Sequence, residues 1–324
     1  MIALAPERVA RGLRAACIAE LRVLKPGNVS TASPGHDMTA RDFIVSARAA
    51  APAIAAPASG VGERILRGIE ATRRVAGCNT NLGIVLLAAP LAHAVLVPRR
   101  EAPLQRRLHA VLAHLDRRDA ELAYRAIRLA SPGGLGTSRV HDVRAAPTVT
   151  LREAMQTAES WDRIAFQYTH AFVDIFEFAL PQLQRALARH GGRPAALLGL
   201  YLALLARFPD SHVARQHGIK VAEEVSERAA RLATALSAEG MTERVVAQMR
   251  SFDAELKRGG VNPGTTADLT VAALFARRLE RELGAATSSA ARSNRVPGAA
   301  NPYVLRANRD SGSKRRLPLR GEVQ

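Results

Sequence analysis

The chain has 324 residues, a formal net charge of +17, 48% hydrophobic residues and only 4% aromatic ones. That length can bury one large core or two ordinary ones, and Ala- and Leu-rich composition without β-branched or aromatic runs argues against a sheet fold and for an all-α one. Two cysteines, Cys17 and Cys78, exclude a disulfide framework and a four-thiolate metal site, so a reduced, cytoplasmic setting is expected.

The N-terminus carries charge every few residues and lacks the apolar stretch of a signal peptide. Glu7 to Val23 reads as a helix with Leu13, Ala16, Ile18 and Leu21 inward, ended by the loop "LKPGNVSTASPGHDM". "TARD", Thr39 to Asp42, is a capping box that starts the next helix. A further helix spans Glu63 to Val75 and leads into the polar knot "GCNTNLG". The apolar run Leu82 to Pro98 is broken by Pro90 and His93 and falls short of the ~20 residues of a membrane span. Two long helices are predicted from there to the loop "SPGGLGTSRVHDV". "TLRE", Thr150 to Glu153, is a second capping box, and Trp161 to Leu180 is predicted as one aromatic core helix with Asp162, Gln167, Tyr168 and His170 at the edge of a cleft. His141, beside Asp142, reads as a surface or capping residue.

Beyond "HGGRP" come a buried helix "AALLGLYLALLARF", the segment "PDSHVARQHG", a mixed-charge helix from Ile219, and "VNPGTTADL" opening a last helix. From Ala285 periodicity stops, with eight Lys/Arg against two Asp/Glu. The prediction is a single all-α domain of about ten helices over residues 1–284 and a disordered basic tail over 285–324. Elsewhere arginines stand singly along amphipathic stretches, which reads as a solvated face. Basic residues lack interleaved aromatics, so a nucleic-acid partner is disfavoured, and no membrane partner is expected.

The polar knots "KPGNVS" with "GHDM", "GCNTNLG", "SPGGLG", "DSHVARQ" and "NPGTTADL" together, in this order, resemble the triphosphoribosyl-dephospho-CoA synthase family over about residues 17 to 280. The family's "PKPGLV" is similar to Lys25-Pro26-Gly27-Asn28-Val29, its "HxDM" to His36-Asp37-Met38, and its "PGGSADL" to Pro263–Leu269. Two motifs depart. "NTHKG" is here Asn79-Thr80-Asn81-Leu82-Gly83, and "GDTN" is Pro209-Asp210-Ser211-His212. The chain looks like a divergent branch, as found in archaea and methylotrophic bacteria. The resemblance implies an all-α enzyme that takes ATP, transfers its triphosphoribosyl group to dephospho-CoA or a related acceptor, and releases adenine. A same-fold enzyme of tetrahydromethanopterin-type cofactor synthesis with another acceptor is the alternative. A non-enzymatic basic protein binding a polyanion is the third reading.

Breaking the bond from ribose C1′ to adenine calls for a cation on the triphosphate, an acid for the base and a base for the acceptor hydroxyl. Mg²⁺, entering with ATP, suits the loop carboxylates Asp37, Asp210 and Asp268, although "TTAD" is also a capping box and Asp37 stands before a helix start. Catalytic candidates are His36, Asp37 and Glu70. Glu70 also reads as an ion pair with Arg74, four residues on. Nucleotide and phosphate candidates are Lys25, Asn28, Asn79, Thr80, Asn81, Gly133, Gly134, Arg215, Gly264 and Thr265, with helix starts after "PGG" and "NPGT" as phosphate cradles. In the knot, Asn81 or Thr80 is expected to cap the helix while Asn79 turns its amide to the cleft.

Overall fold

Several helix starts in this chain are fixed by a side chain that accepts a first-turn backbone N–H. The computed structural model describes residues 1–190 and 192–293, and residues up to Thr287 form one compact unit. Among the described residues there are fourteen α-helices, one π-helical turn, three isolated bridges and no strand. The helices are α1 (Pro6–Leu21), α2 (Ala40–Ile54), α3 (Val61–Ala76), α4 (Leu82–Leu96), α5 (Leu104–Ala113), α6 (Arg117–Ala130) and α7 (Leu151–Ala158). They continue as α8 (Arg163–Thr169), α9 (Leu180–His190), α10 (Arg193–Arg207), α11 (Ser211–His217), α12 (Ile219–Glu239), α13 (Glu243–Arg258) and α14 (Gly264–Ser293). Both capping boxes form: Asp42 accepts from the Thr39 N–H at 2.8 Å, and Glu153 from the Thr150 N–H at 2.8 Å. Asp116 and Asp119 form a third box at α6, while at α13 the Thr242 hydroxyl accepts from the Val245 N–H.

The apolar run after the knot becomes α4, which is buried on every side and packs against α1, α2, α3, α5 and α8. A helix without a polar face has no other stable place. Pro90 inside it cannot donate to the carbonyl one turn back. That carbonyl, Leu86 O, instead accepts from the fully buried Tyr168 hydroxyl at 2.7 Å, which ties α8 to α4. Arg64 is likewise buried, 1% exposed, and its Nη1 donates to Ile54 O and Ala56 O at 2.6 and 2.7 Å. It thus satisfies carbonyls at the end of α2 that the helix itself leaves free. Burial lowers its pKa to about 10.

Three expectations change. The stretch from the knot to "SPGG" holds three helices, because residues 97–103 leave the helix to pair Arg99 with Ile2, and Asp116 caps a new start. The aromatic helix is split: Ala171 and Phe172 take positive φ, and a π-helical turn covers Asp174–Ala179. The bend lets the Arg163 guanidinium grip Asp174 with two bonds of 2.7 and 2.8 Å, while Gln167 donates to the same carboxylate at 2.6 Å. Gln167 and Tyr168 are buried there rather than at a cleft, and Trp161, taken for core, is 60% exposed. Finally, α14 continues past Ala285 to Ser293; the rest of the predicted tail, 294–324, lies outside the described residues.

Candidate functional site

The site begins at the knot. Gly77 ends α3 in the left-handed region at φ 70°, where glycine carries no steric penalty, and turns the chain toward α4. Asn79 Oδ1 accepts from the Leu82 N–H at 3.1 Å and is the cap, while Thr80 turns away and donates to Ser46 Oγ of α2 at 2.7 Å. Asn81 is 7% exposed and lines a cleft, and its Oδ1 has no hydrogen-bond partner among the described residues. The expected roles are therefore exchanged: Asn79 supplies the cap and Asn81 the spare amide. The bend at Asn81, φ −158° and ψ 23°, carries its side chain away from the helix start.

The cleft has a volume of about 290 Å³. Five helix starts reach it: α4 at the knot, α7 at Leu151, α8 at Asp162, α11 at His212 and α14 at Gly264 and Thr265. Carboxylates take up several of their free N–H groups. Asp162 Oδ1 accepts from Ile164 N and Ala165 N at 2.9 and 3.1 Å. Asp210 Oδ1 accepts from His212 N and Val213 N at 2.9 and 3.1 Å, and its Oδ2 takes both the N–H and the hydroxyl of Thr266 at 2.7 Å. Asp268 reaches from α14 to the start of α4, facing the Ile84 N–H and lying against the α-carbon of Gly83. Any larger residue at position 83 would drive a Cβ into that carboxylate.

This leaves a polar floor lined by Asp162, Asp268 and Asn81, of which the Asn81 Oδ1 has no partner among the described residues. Burial, then the charges of Asp210, Glu20 and Asp162, holds the Asp268 carboxyl well above the usual range. Burial also raises Asp210 against the pull of Thr266 and the α11 N–H groups. Two cations answer these acids. Arg215 Nη1 donates to Asp162 Oδ2 at 3.2 Å and its Nη2 to His212 Nδ1 at 3.1 Å. Lys25 pairs with Glu20 at 2.7 Å, the two side chains being 1% and 7% exposed. Burial pushes Glu20 up and Lys25 down, each pulled back by its partner. The opposite wall is apolar, with Leu82, Ile84, Leu86, Leu151, Met155, Ile164 and Ala165, and Leu135, Val140 and the exposed Trp161 stand at the rim.

Of the predicted residues, the cleft gathers Asn28, Asn79, Thr80, Asn81, Arg215, Gly264, Thr265 and Asp268. Lys25 lies behind it, donating to Val29 O at 2.8 Å as well as pairing with Glu20, so its ammonium is already engaged within the protein. Asp210 is 2% exposed and spends both oxygens on four donors. Asp37 is exposed at positive φ in the turn Gly35–Met38, and the half-buried His36 bonds Gly27 O at 2.8 Å. Glu70 pairs with Arg125 of α6, not Arg74, at 3.1 Å. Gly133 and Gly134 pack on Gln216 and Arg215, and no helix follows "PGG", because residues 131–150 remain irregular up to α7. α14 starts at Gly264, so Thr265 does not box with Asp268. Among the described residues no three His, Cys, Asp or Glu side chains form a metal cage, and Asp37, Asp210 and Asp268 do not fit one together.

Glu20, His212 and Asn262, none of them a candidate from the sequence, line the cleft, and so does His141, which reads in sequence as a surface or capping residue. Asn262, His212 and His141 sit inside loops and motifs already singled out; Glu20 offers no such signal, hidden in a helix face. Asn28 Nδ2 donates to Asn262 Oδ1 at 2.8 Å, joining the first and last of the knots across 234 positions of sequence.

A family model described as CitG, ATP:dephospho-CoA triphosphoribosyl transferase, matches residues 6–287. Proteins of Pseudomonas syringae pv. tomato and Pseudomonas syringae pv. syringae, assigned as 2-(5''-triphosphoribosyl)-3'-dephosphocoenzyme-A synthases, are each 32% identical over 124 residues. That match covers 38% of this chain and 42% of either relative, so less than half of their length is spanned. A crystal structure from Archaeoglobus fulgidus, assigned as a triphosphoribosyl-dephospho-CoA synthase, aligns with a TM-score of 0.57 at 26% identity. The alignment covers 74% of this chain and 99% of that one.

Proposed function

The chain belongs to the CitG family, and from that premise we propose that its cleft takes ATP and transfers the triphosphoribosyl group to a hydroxyl acceptor, releasing adenine. The observation that carries this reading is the meeting of separate polar knots, with Asn28, Asn81, Arg215, Thr265 and Asp268, around one hollow. The polar side chains Asn81, Thr265 and Asp268 suit ribose hydroxyls and the exocyclic amine of adenine, while the apolar wall accommodates the base. Arg215 is the cation nearest the phosphates. Mg²⁺ enters with ATP as part of the substrate, since this ion keeps waters and substrate phosphates as its main ligands. Dephospho-CoA is the first acceptor to test.

A second reading keeps the fold and changes the acceptor. The motif that reads "NTHKG" in the best-known members has Asn81 and Leu82 in place of its histidine and lysine, so the contacts made there differ. No helix among the described residues is long and apolar enough to cross a membrane. Both cysteines are unpaired, which fits a reducing cytoplasm as the place of action.

The experiment is incubation of the purified protein with ATP, Mg²⁺ and candidate acceptors, following free adenine. Release with dephospho-CoA supports the first reading. Tight ATP binding with release only for another acceptor supports the second, and no ATP binding at all refutes both.

A further inference from the structure

His212 lines the same cleft as Asn81, and its neighbours fix where its hydrogen sits. The Arg215 Nη2 lies 3.1 Å from His212 Nδ1, and a guanidinium nitrogen can only donate. Nδ1 is therefore the acceptor, and the ring hydrogen is on Nε2. Arg215 is itself held by Asp162, whose other oxygen pins the start of α8. The ring packs beside Gly264, where an added Cβ would lie 3.5 Å from Cδ2. Burial, with Arg215, His36 and His217 nearby, keeps the imidazole neutral. His212 is a neutral donor with a set direction in the same cleft as the unpartnered Asn81 Oδ1.

Adenine presents an accepting ring nitrogen, N7, beside a donating exocyclic amine. Recognition of that edge takes one donor and one acceptor. The His212 Nε2–H and the unpartnered, buried Asn81 Oδ1 are such a pair. Against the family motifs quoted above, histidine and asparagine have changed places: Asn81 stands where those have histidine, and His212 where they have asparagine. Resting on the function proposed above, we propose that the His212 Nε2–H donates to adenine N7 while Asn81 Oδ1 accepts from its amine, and that the N7 contact strengthens as the base departs. In that step the C1′–N9 bond breaks with its electron pair going to adenine, and a bond forms from the acceptor oxygen to C1′. The hydroxyl proton ends on adenine, and the triphosphate stays on ribose, so no further reactant is needed.

The test uses MgATP and its 7-deaza analogue, which lacks the N7 acceptor. Calorimetry on the unaltered protein should show about tenfold weaker binding of the analogue, one hydrogen bond's worth. In [¹⁵N]histidine-labelled protein the His212 signals should show the Nε2–H form and shift with MgATP but not with the analogue. His212→Phe should slow adenine release by about 10²-fold, as loss of one well-placed donor does, and bind both nucleotides alike. Asn81→His/His212→Asn should regain at least about tenfold of that loss. Equal binding of the two nucleotides by the unaltered protein, or an Nδ1–H ring, overturns this inference and leaves the proposed function standing. Binding of neither nucleotide overturns both.

Discussion

Replacing Lys25 with methionine separates a structural ion pair from a phosphate ligand. In the folded protein its ammonium lies 2.7 Å from Glu20 and donates to Val29 O, and both side chains are almost wholly out of water. At that separation and an effective dielectric near 20, the attraction is about 6 kcal/mol. Desolvation of each ion costs several kcal/mol in return, so the pair as a whole is close to neutral. Removing one partner leaves that cost uncompensated, and Lys25→Met should lose about 3–5 kcal/mol. Glu20→Gln/Lys25→Met should recover all but about 1–2 kcal/mol, because neither buried charge remains. With a urea slope of about 3 kcal/mol per molar, the single variant's midpoint falls by about 1.3 M and the double variant's by less than half of that. The reasoning fails if Lys25→Met unfolds within about 0.3 M of the parent yet binds MgATP more than tenfold more weakly. Lys25 would then hold phosphate.

Gly83→Ala should cost about 1–3 kcal/mol and abolish nucleotide binding, since its Cβ would meet the Asp268 carboxylate and lie 2.6 Å from Ile164 Cδ1. Adding Asp268→Ala should restore part of the stability in urea melts. Asp210→Asn puts an NH₂ against the Thr266 N–H or a helix-cap N–H, and calorimetric unfolding should record a loss of about 2–4 kcal/mol. Stability unchanged with MgATP affinity lost would instead make Asp210 a metal ligand. Acid should also act through His212, whose pKa falls from 6.5 to about 4, first by burial and then by Arg215, His36 and His217. Between those values the unfolded chain binds the extra proton and the folded one does not, so this contribution lowers stability as pH falls from about 6.5 to 4. His212→Asn should flatten that part of the urea-midpoint profile; an unchanged slope would count against the assignment.

The helices were legible where the cue is local. Thr39 and Thr150 with their acids three residues on, and the solid apolar face of α4, needed no tertiary knowledge. What escaped was set by side chains that meet only in the folded chain. Nothing near Ala171 and Phe172 in the sequence announces positive φ; the turn answers to Arg163, Gln167 and Asp174 closing on one another. In the site, the knots identified positions but not orientations. Asn79 and Asn81 are chemically the same residue, and only the backbone path decides which one caps and which faces the cleft. Lys25 and Asp210 were picked as charges, yet their burial depends on Glu20 and Thr266, elements far from each in the chain or hidden on a helix face. His212 carried its signal in plain view, as the departure from an expected asparagine.

Trp161 is the chain's one tryptophan, and it stands 60% exposed at the rim of the cleft. Its emission can therefore be excited apart from the tyrosines and belongs to a single known place. A nucleotide or acceptor that seats itself beneath the rim displaces water from that indole, so blue-shift or quenching follows occupancy directly. The unmodified protein thus carries its own optical titration signal, with which candidate acceptors can be ranked before any product is looked for.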